Sequence, residues 1–152
     1  MKASFTVPGN PKAKARPRFR QGGRPYTPRD TAQYEALVKA QYRLACGSLF
    51  FPAESPLAME IWVYLPIPQS VSQKRRQAME DGLIRPTKKP DWDNLGKIIS
   101  DALNGTAYAD DKQLVDVRVR KAYSHNPRAE VTVWEEKDGW ILCREEEREH
   151  GG

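Results

Sequence analysis

Leu57-Ala-Met-Glu-Ile-Trp-Val-Tyr-Leu65 decides the fold class. Leu57, Met59, Ile61, Val63 and Leu65 alternate with Ala58, Glu60, Trp62 and Tyr64, the period of a strand with one face buried. Pro66 and Pro68 stop it. Upstream, Thr27-Pro28-Arg29-Asp30 reads as a helix start: Thr27 as cap, Pro28 in the first turn, Asp30 as the acid of a capping box. Tyr34, Leu37, Val38, Leu44 and Ala45 then share a helical face, which ends near Gly47. Further upstream, Ser4 to Val7 is a short strand. Downstream, Ser72 to Glu80 is a short basic helix ending before Gly82. Asn94 to Leu103 is another, closed by Asn104-Gly105.

Leu114 to Tyr123 alternates Val115, Val117 and Val119 against Asp116, Arg118 and Arg120. Asn126-Pro127 marks a turn, and Glu130 to Trp134 returns, so the pair is expected to form a hairpin. The element order is β-α-β-α-α-β-β, with a loop after the first strand. It predicts a single α+β domain over 1–135, a mixed or antiparallel sheet with packed helices, and an acidic tail over 136–152.

At 152 residues the chain holds one ordinary domain. The longest apolar stretch is about half a bilayer span, so no membrane segment is expected. Cys46 and Cys143 make no CxxC pair, and His125 and His150 are too few for a His-rich metal site. These features exclude a disulfide mini-protein and point to a cytoplasmic location.

The net charge of +5 hides a polar arrangement. Residues 1–29 carry Lys2, Lys12, Lys14, Arg16, Arg18, Arg20, Arg24 and Arg29 and no acid, whereas residues 135–152 sum to −4. Pro8 to Pro28 holds five of the twelve prolines and Gly22-Gly23. It therefore reads as a long loop with no regular element, mobile at least at its tip. A basic arm of this kind suits a polyanion, and Phe19 and Tyr26 between its arginines suit stacked bases. A solvated face explains the same charge run. Lys74, Arg75 and Arg76 form a second basic group.

The chemistry concentrates in Lys89 to Asp111. In an extended Pro90-Asp91-Trp92-Asp93-Asn94, Asp91 and Asp93 would project together. Two neighbouring carboxylates repel unless a cation neutralises them, and a hard divalent ion such as Mg²⁺ prefers oxygen ligands. Asp110 and Asp111 form another acidic pair, which would converge on the first if the following strand lies beside it. Lys97, one helical turn past Asp93, would face the same cluster. Each residue also has a structural reading: Asp93 as a helix cap, Asp110 and Asp111 as loop residues, Lys97 as an i+4 partner of Asp101.

Lys89-Pro-Asp-Trp-Asp-Asn-Leu-Gly-Lys97, Ser100-Asp-Ala-Leu-Asn-Gly105 and Tyr108-Ala-Asp-Asp-Lys-Gln113 resemble the RusA family of Holliday-junction resolvases. Gly9-Asn-Pro-Lys-Ala-Lys-Ala-Arg-Pro-Arg-Phe19 resembles its phage and prophage members. The resemblance spans about residues 3–135. It implies a Mg²⁺-dependent endodeoxyribonuclease, with Mn²⁺ able to substitute, that cuts four-way junctions by paired nicks in recombination and repair. It implies metal-binding and catalytic roles for Asp91, Asp93 and Asp111, a functional Lys97, and a homodimer acting on branched DNA. Asp110 is a further metal-ligand candidate. Lys12, Lys14, Arg16, Arg18, Arg20, Arg24, Lys74, Arg75 and Arg76 are the DNA-binding candidates. Two other readings fit the residues: a metal nuclease for other branched or flapped DNA, and a non-catalytic DNA-binding protein.

Overall fold

The computed structural model describes residues 1–19, 21–26 and 28–140, Arg18 by its backbone alone. The residues expected to form most of the acidic tail, 141–152, lie outside it, as do Arg20 and Thr27, and with Thr27 the expected capping contact. The fold is α+β, a four-stranded mixed sheet with three helices. The elements are β1 (Lys2–Pro8), β2 (Arg18–Phe19), β3 (Pro25–Tyr26), α1 (Arg29–Cys46), β4 (Leu57–Pro66), α2 (Gln73–Glu80), α3 (Trp92–Ala102), β5 (Leu114–Ser124) and β6 (Arg128–Glu135). No helix among the described residues is long and apolar enough to cross a membrane.

β4 carries the alternation that the sequence displays, and it lies inside the sheet, whose order is β1-β6-β4-β5. Leu57, Met59, Ile61, Val63 and Leu65 are buried. They meet Phe5 and Val7 of β1, Val131 and Val133 of β6, Tyr34, Val38 and Tyr42 of α1, and Leu95, Ile98 and Ile99 of α3 in one core.

The expected β5–β6 hairpin does not form. β5 pairs with β4 in parallel, and β6 pairs antiparallel with both β4 and β1. Asn126-Pro127 does reverse the chain, but the link passes over the end of β4, where Pro66 lies opposite Ser124 and Tyr64 opposite Arg128. Skipping one strand means crossing about 10 Å. The four residue steps from Ser124 to Arg128 reach about 13 Å. The geometry allows the skip, and the most apolar strand gains partners on both sides.

The proline-rich arm also departs from expectation. Arg18–Phe19 and Pro25–Tyr26 form a small antiparallel pair, with Gly22 at a φ of +71° in its turn. A two-stranded ribbon is all edge, so Pro25 loses no required ladder bond. The segment before the pair is docked. Pro11 is buried, the Lys14 N–H donates to the Asn94 carbonyl at 2.9 Å, and the Ala15 N–H reaches Thr31 Oγ1 at 3.4 Å.

At α1, Pro28 itself occupies the cap position and no side chain caps the helix, while Gly47 closes its far end at a φ of +62°. α2 starts as expected, with Ser72 Oγ accepting the Arg75 N–H.

Candidate active site

α3 begins two residues earlier than the sequence suggests. Asp91 is its cap, Trp92 its first residue, and the Leu95 N–H closes the first turn on the Asp91 carbonyl at 3.1 Å. Acidic side chains in a first turn are favoured by the helix dipole. Asp93 is therefore neither the cap nor part of an extended segment. The expected same-side projection of Asp91 and Asp93 by strand alternation is replaced by a different grouping.

Asp93, Lys97 and Asp101 now follow one another at i, i+4 and i+8 along one helical stripe. Asp93, Gly96, Lys97 and Ser100 line a hollow of about 250 Å³ with Asp111 across from them and Leu114, Val117 and Val119 of β5 as its apolar side. Gly96 permits this approach: a Cβ there would stand 3.3 Å from Val119 Cγ2. Asp91 lines a neighbouring hollow with Lys12, Lys89, Pro90 and Asn94. Its carboxylate makes no capping bond, although a capping Asp ordinarily supplies one. The Lys121 ammonium ties this segment to β5, donating to the carbonyls of Lys88 at 2.7 Å and Pro90 at 2.8 Å.

The acidic pair at 110 and 111 divides its labour. Asp110 caps a short 3-10 turn over Asp111–Gln113, its Oδ1 accepting the Lys112 N–H at 2.9 Å in a capping box with Gln113. That bond, and then the adjacent Asp111, holds the Asp110 carboxyl below its usual value. Asp111 moves the other way: partial burial, then the neighbouring Asp110 and Asp101 carboxyls, push it up. Tyr108, buried beneath them, donates its hydroxyl to the Ser100 carbonyl at 2.7 Å and so pins the acidic turn to α3.

Lys97 Nζ stands 3.1 Å from Asp101, its i+4 partner, and 4.0 Å from Asp111 across the hollow. Asp101 in turn lies 3.4 Å from Lys14, which also pairs with Glu35 on α1. Burial lowers the Lys14 pKa, but Glu35 and Asp101 outweigh it and the net shift is upward. Lys14 thus anchors the arm to α1 and α3. Nothing in the sequence singled out Glu35, and Asp101 was visible only as a partner for Lys97.

Among the described residues, no three His, Cys, Asp or Glu side chains already stand together as a metal cluster. In kind, the donors fit a hard divalent ion. They are all carboxylate oxygens, and Asp111, raised first by partial burial and then by its neighbours Asp110 and Asp101, is a carboxyl whose charged form a cation would favour. Lys97 supplies part of that positive charge, with its side chain 57% exposed. Exposed pairs contribute roughly 0.2–1 kcal/mol. Lys97→Ala is therefore expected to fold with a stability loss of no more than about 1 kcal/mol. A large drop in denaturation midpoint would assign Lys97 to the scaffold instead.

The remaining DNA-binding candidates are dispersed. Lys12, Arg16, Arg24, Lys74 and Arg75 are exposed, and Arg76 reaches the Pro68 and Gln69 carbonyls at 3.4 Å each. A larger hollow, about 530 Å³, lies beside Trp62 and Trp134 on the side of the sheet away from the core formed with α1 and α3. Its acids are engaged elsewhere, Glu60 with Trp62 and Arg120, Glu130 with Arg128.

Residues 8–134 match the family model for endodeoxyribonuclease RusA. The chain is also 43% identical over 142 residues to the uncharacterized protein YqaN of Bacillus subtilis (strain 168), a match covering 86% of this chain and 94% of that protein.

Proposed function

The chain belongs to the RusA family of endodeoxyribonucleases, and from that premise we propose that it resolves four-way DNA junctions, with Mg²⁺, through the hollow between α3 and Asp111. Nucleases of this family generally depend on a divalent metal. The observation that carries the reading is the opposition of Asp93 and Lys97 on α3 to Asp111 across one small hollow.

Asp93 and Asp111 would hold the ion, with Asp91 contributing from the neighbouring hollow. A bound divalent ion offsets the negative charge that gathers on the scissile phosphate. Asp110 and Tyr108 keep Asp111 turned towards α3. Lys97 places an ammonium beside the same acid, where it can meet developing phosphate charge. Lys12 and Lys89 border the adjoining hollow and offer contacts to backbone phosphates, which fix register without reading sequence. A homodimer supports paired nicking, because a two-fold axis presents two equivalent sites to strands of like polarity. Recombination and repair in the cytoplasm are where such substrates arise.

The test is a mobile four-way junction incubated with protein in Mg²⁺, Mn²⁺, Ca²⁺ or excess chelator. Cleavage is expected with the first two, and binding with little cleavage in Ca²⁺, whose coordination is looser and higher. Full activity in chelator would sink the metal mechanism. Nicking confined to flaps would favour the other branched-DNA reading.

A further inference from the structure

We propose that Trp92 is a specificity residue for branched DNA, its indole stacking on a base left unstacked beside the scissile phosphate. This rests on the nuclease reading above and adds to it a means of telling a branch from a linear duplex.

The chain has four tryptophans. Three have their indole N–H satisfied by a glutamate: Trp62 by Glu60 at 2.9 Å, Trp134 by Glu136 at 3.0 Å, Trp140 by Glu136 at 3.2 Å. Trp62 is also stacked on Tyr64 and covered by Arg120. Among the described residues, Trp92 has no such hydrogen bond or ring partner, and it is 64% exposed. It sits at the first position of α3 between Asp91 and Asp93, and it lines the hollow shared by Asp93, Lys97 and Asp111.

That setting selects a base rather than a phosphate. The indole offers a large apolar face on a side chain with only two torsions and carries no charge to pair with an anion, a charge that Lys97 in the same hollow supplies instead. Val117, 45% exposed, lines the same hollow. Flanking backbone phosphates have a separate place beside Lys12 and Lys89. Base–aromatic stacking tolerates any base, because every base has a π-face. In an intact duplex those faces are already covered by neighbouring bases. At a branch point they are not, so Trp92 gains a partner only on branched DNA.

The experiment measures Kd in excess chelator for a four-way junction with 2-aminopurine beside the crossover and a linear duplex of equal length with 2-aminopurine at the corresponding position. Wild type, Trp92→Ala and Trp92→Phe are compared. Trp92→Ala is expected to weaken junction binding by roughly five- to 150-fold, leave duplex binding unchanged, and abolish the 2-aminopurine response seen with wild type. Trp92→Phe is expected to retain most of both. Equal losses on the two substrates, or no loss, would overturn the proposal. So would a Trp92→Ala protein whose sedimentation mass differs from wild type, which would assign the indole to a contact between copies of the chain. Because binding is read without metal, a wild-type protein that binds junctions but never cuts defeats the nuclease reading, whereas an unchanged Trp92→Ala affinity defeats this proposal, so the two failures are told apart.

Discussion

Asp111→Asn should lower junction cleavage by roughly a thousand-fold or more, since one metal-held charge contact in a catalytic site is worth several kcal/mol. Its neighbour makes the comparison sharp. Asp110 uses its carboxylate as a cap, and asparagine caps as well as aspartate, so Asp110→Asn should fold and cut at close to the wild-type rate. Asp111 begins the same turn but is drawn towards Lys97 and Asp101. Asp93→Asn should resemble Asp111→Asn, and its amide oxygen can keep accepting the Asn94 N–H, now 2.9 Å from Asp93 Oδ1. Asp91→Asn is expected to join them, since its carboxylate is free of capping duty. Junction binding in Ca²⁺ should survive in all three. Single-turnover rates check this, and a near wild-type rate in any of the three removes that residue from the site.

Replacing Arg16, Arg18 and Arg20 together with alanine should weaken junction binding and flatten its salt dependence. Each phosphate contact contributes about 0.9 to the log–log slope on duplex-like DNA, so three contacts give a change near 2.7. Between 50 and 200 mM salt that is a roughly forty-fold difference in how much affinity salt removes. Lys14 is the informative contrast. It pairs with Glu35 and Asp101, so Lys14→Ala should disturb the seat of the arm and the stability of the domain more than the slope. Titrating affinity against salt for both variants separates the two roles. An unchanged slope in the triple variant would reduce the arm's charge to a solvated face and shift attention to Lys74, Arg75, Arg76, Lys88 and Lys89.

Legibility in the sequence followed the range of the interaction. β4 was plain because its period of two is local and every second residue is buried. The pairing of β5 was not, because Val115, Val117 and Val119 alternate identically whether their neighbour is β6 or β4. The choice belongs to β4, whose buried residues need partners on both sides. Pro90-Asp91-Trp92-Asp93-Asn94 suits both readings, since Pro90 biases its predecessor towards extended backbone while acids are favoured in a helical first turn. The early start of α3 moved Asp93 onto the stripe of Lys97 and Asp101 and left Asp91 at the cap. The arm read as a loop with no regular element, mobile at least at its tip, because nothing local reveals that Lys14 meets Glu35, 21 positions on, or Asp101 on another helix. Nothing local distinguishes Trp92 between its two acids; its exposure beside the hollow does.

The most direct test of the central claim is to map the nicks on all four strands of a mobile four-way junction after a single turnover in Mg²⁺. Two nicks are expected, symmetric across the branch in strands of like polarity, yielding duplexes that ligase can seal. Nicks confined to one strand, or placed without symmetry about the branch, would contradict that claim.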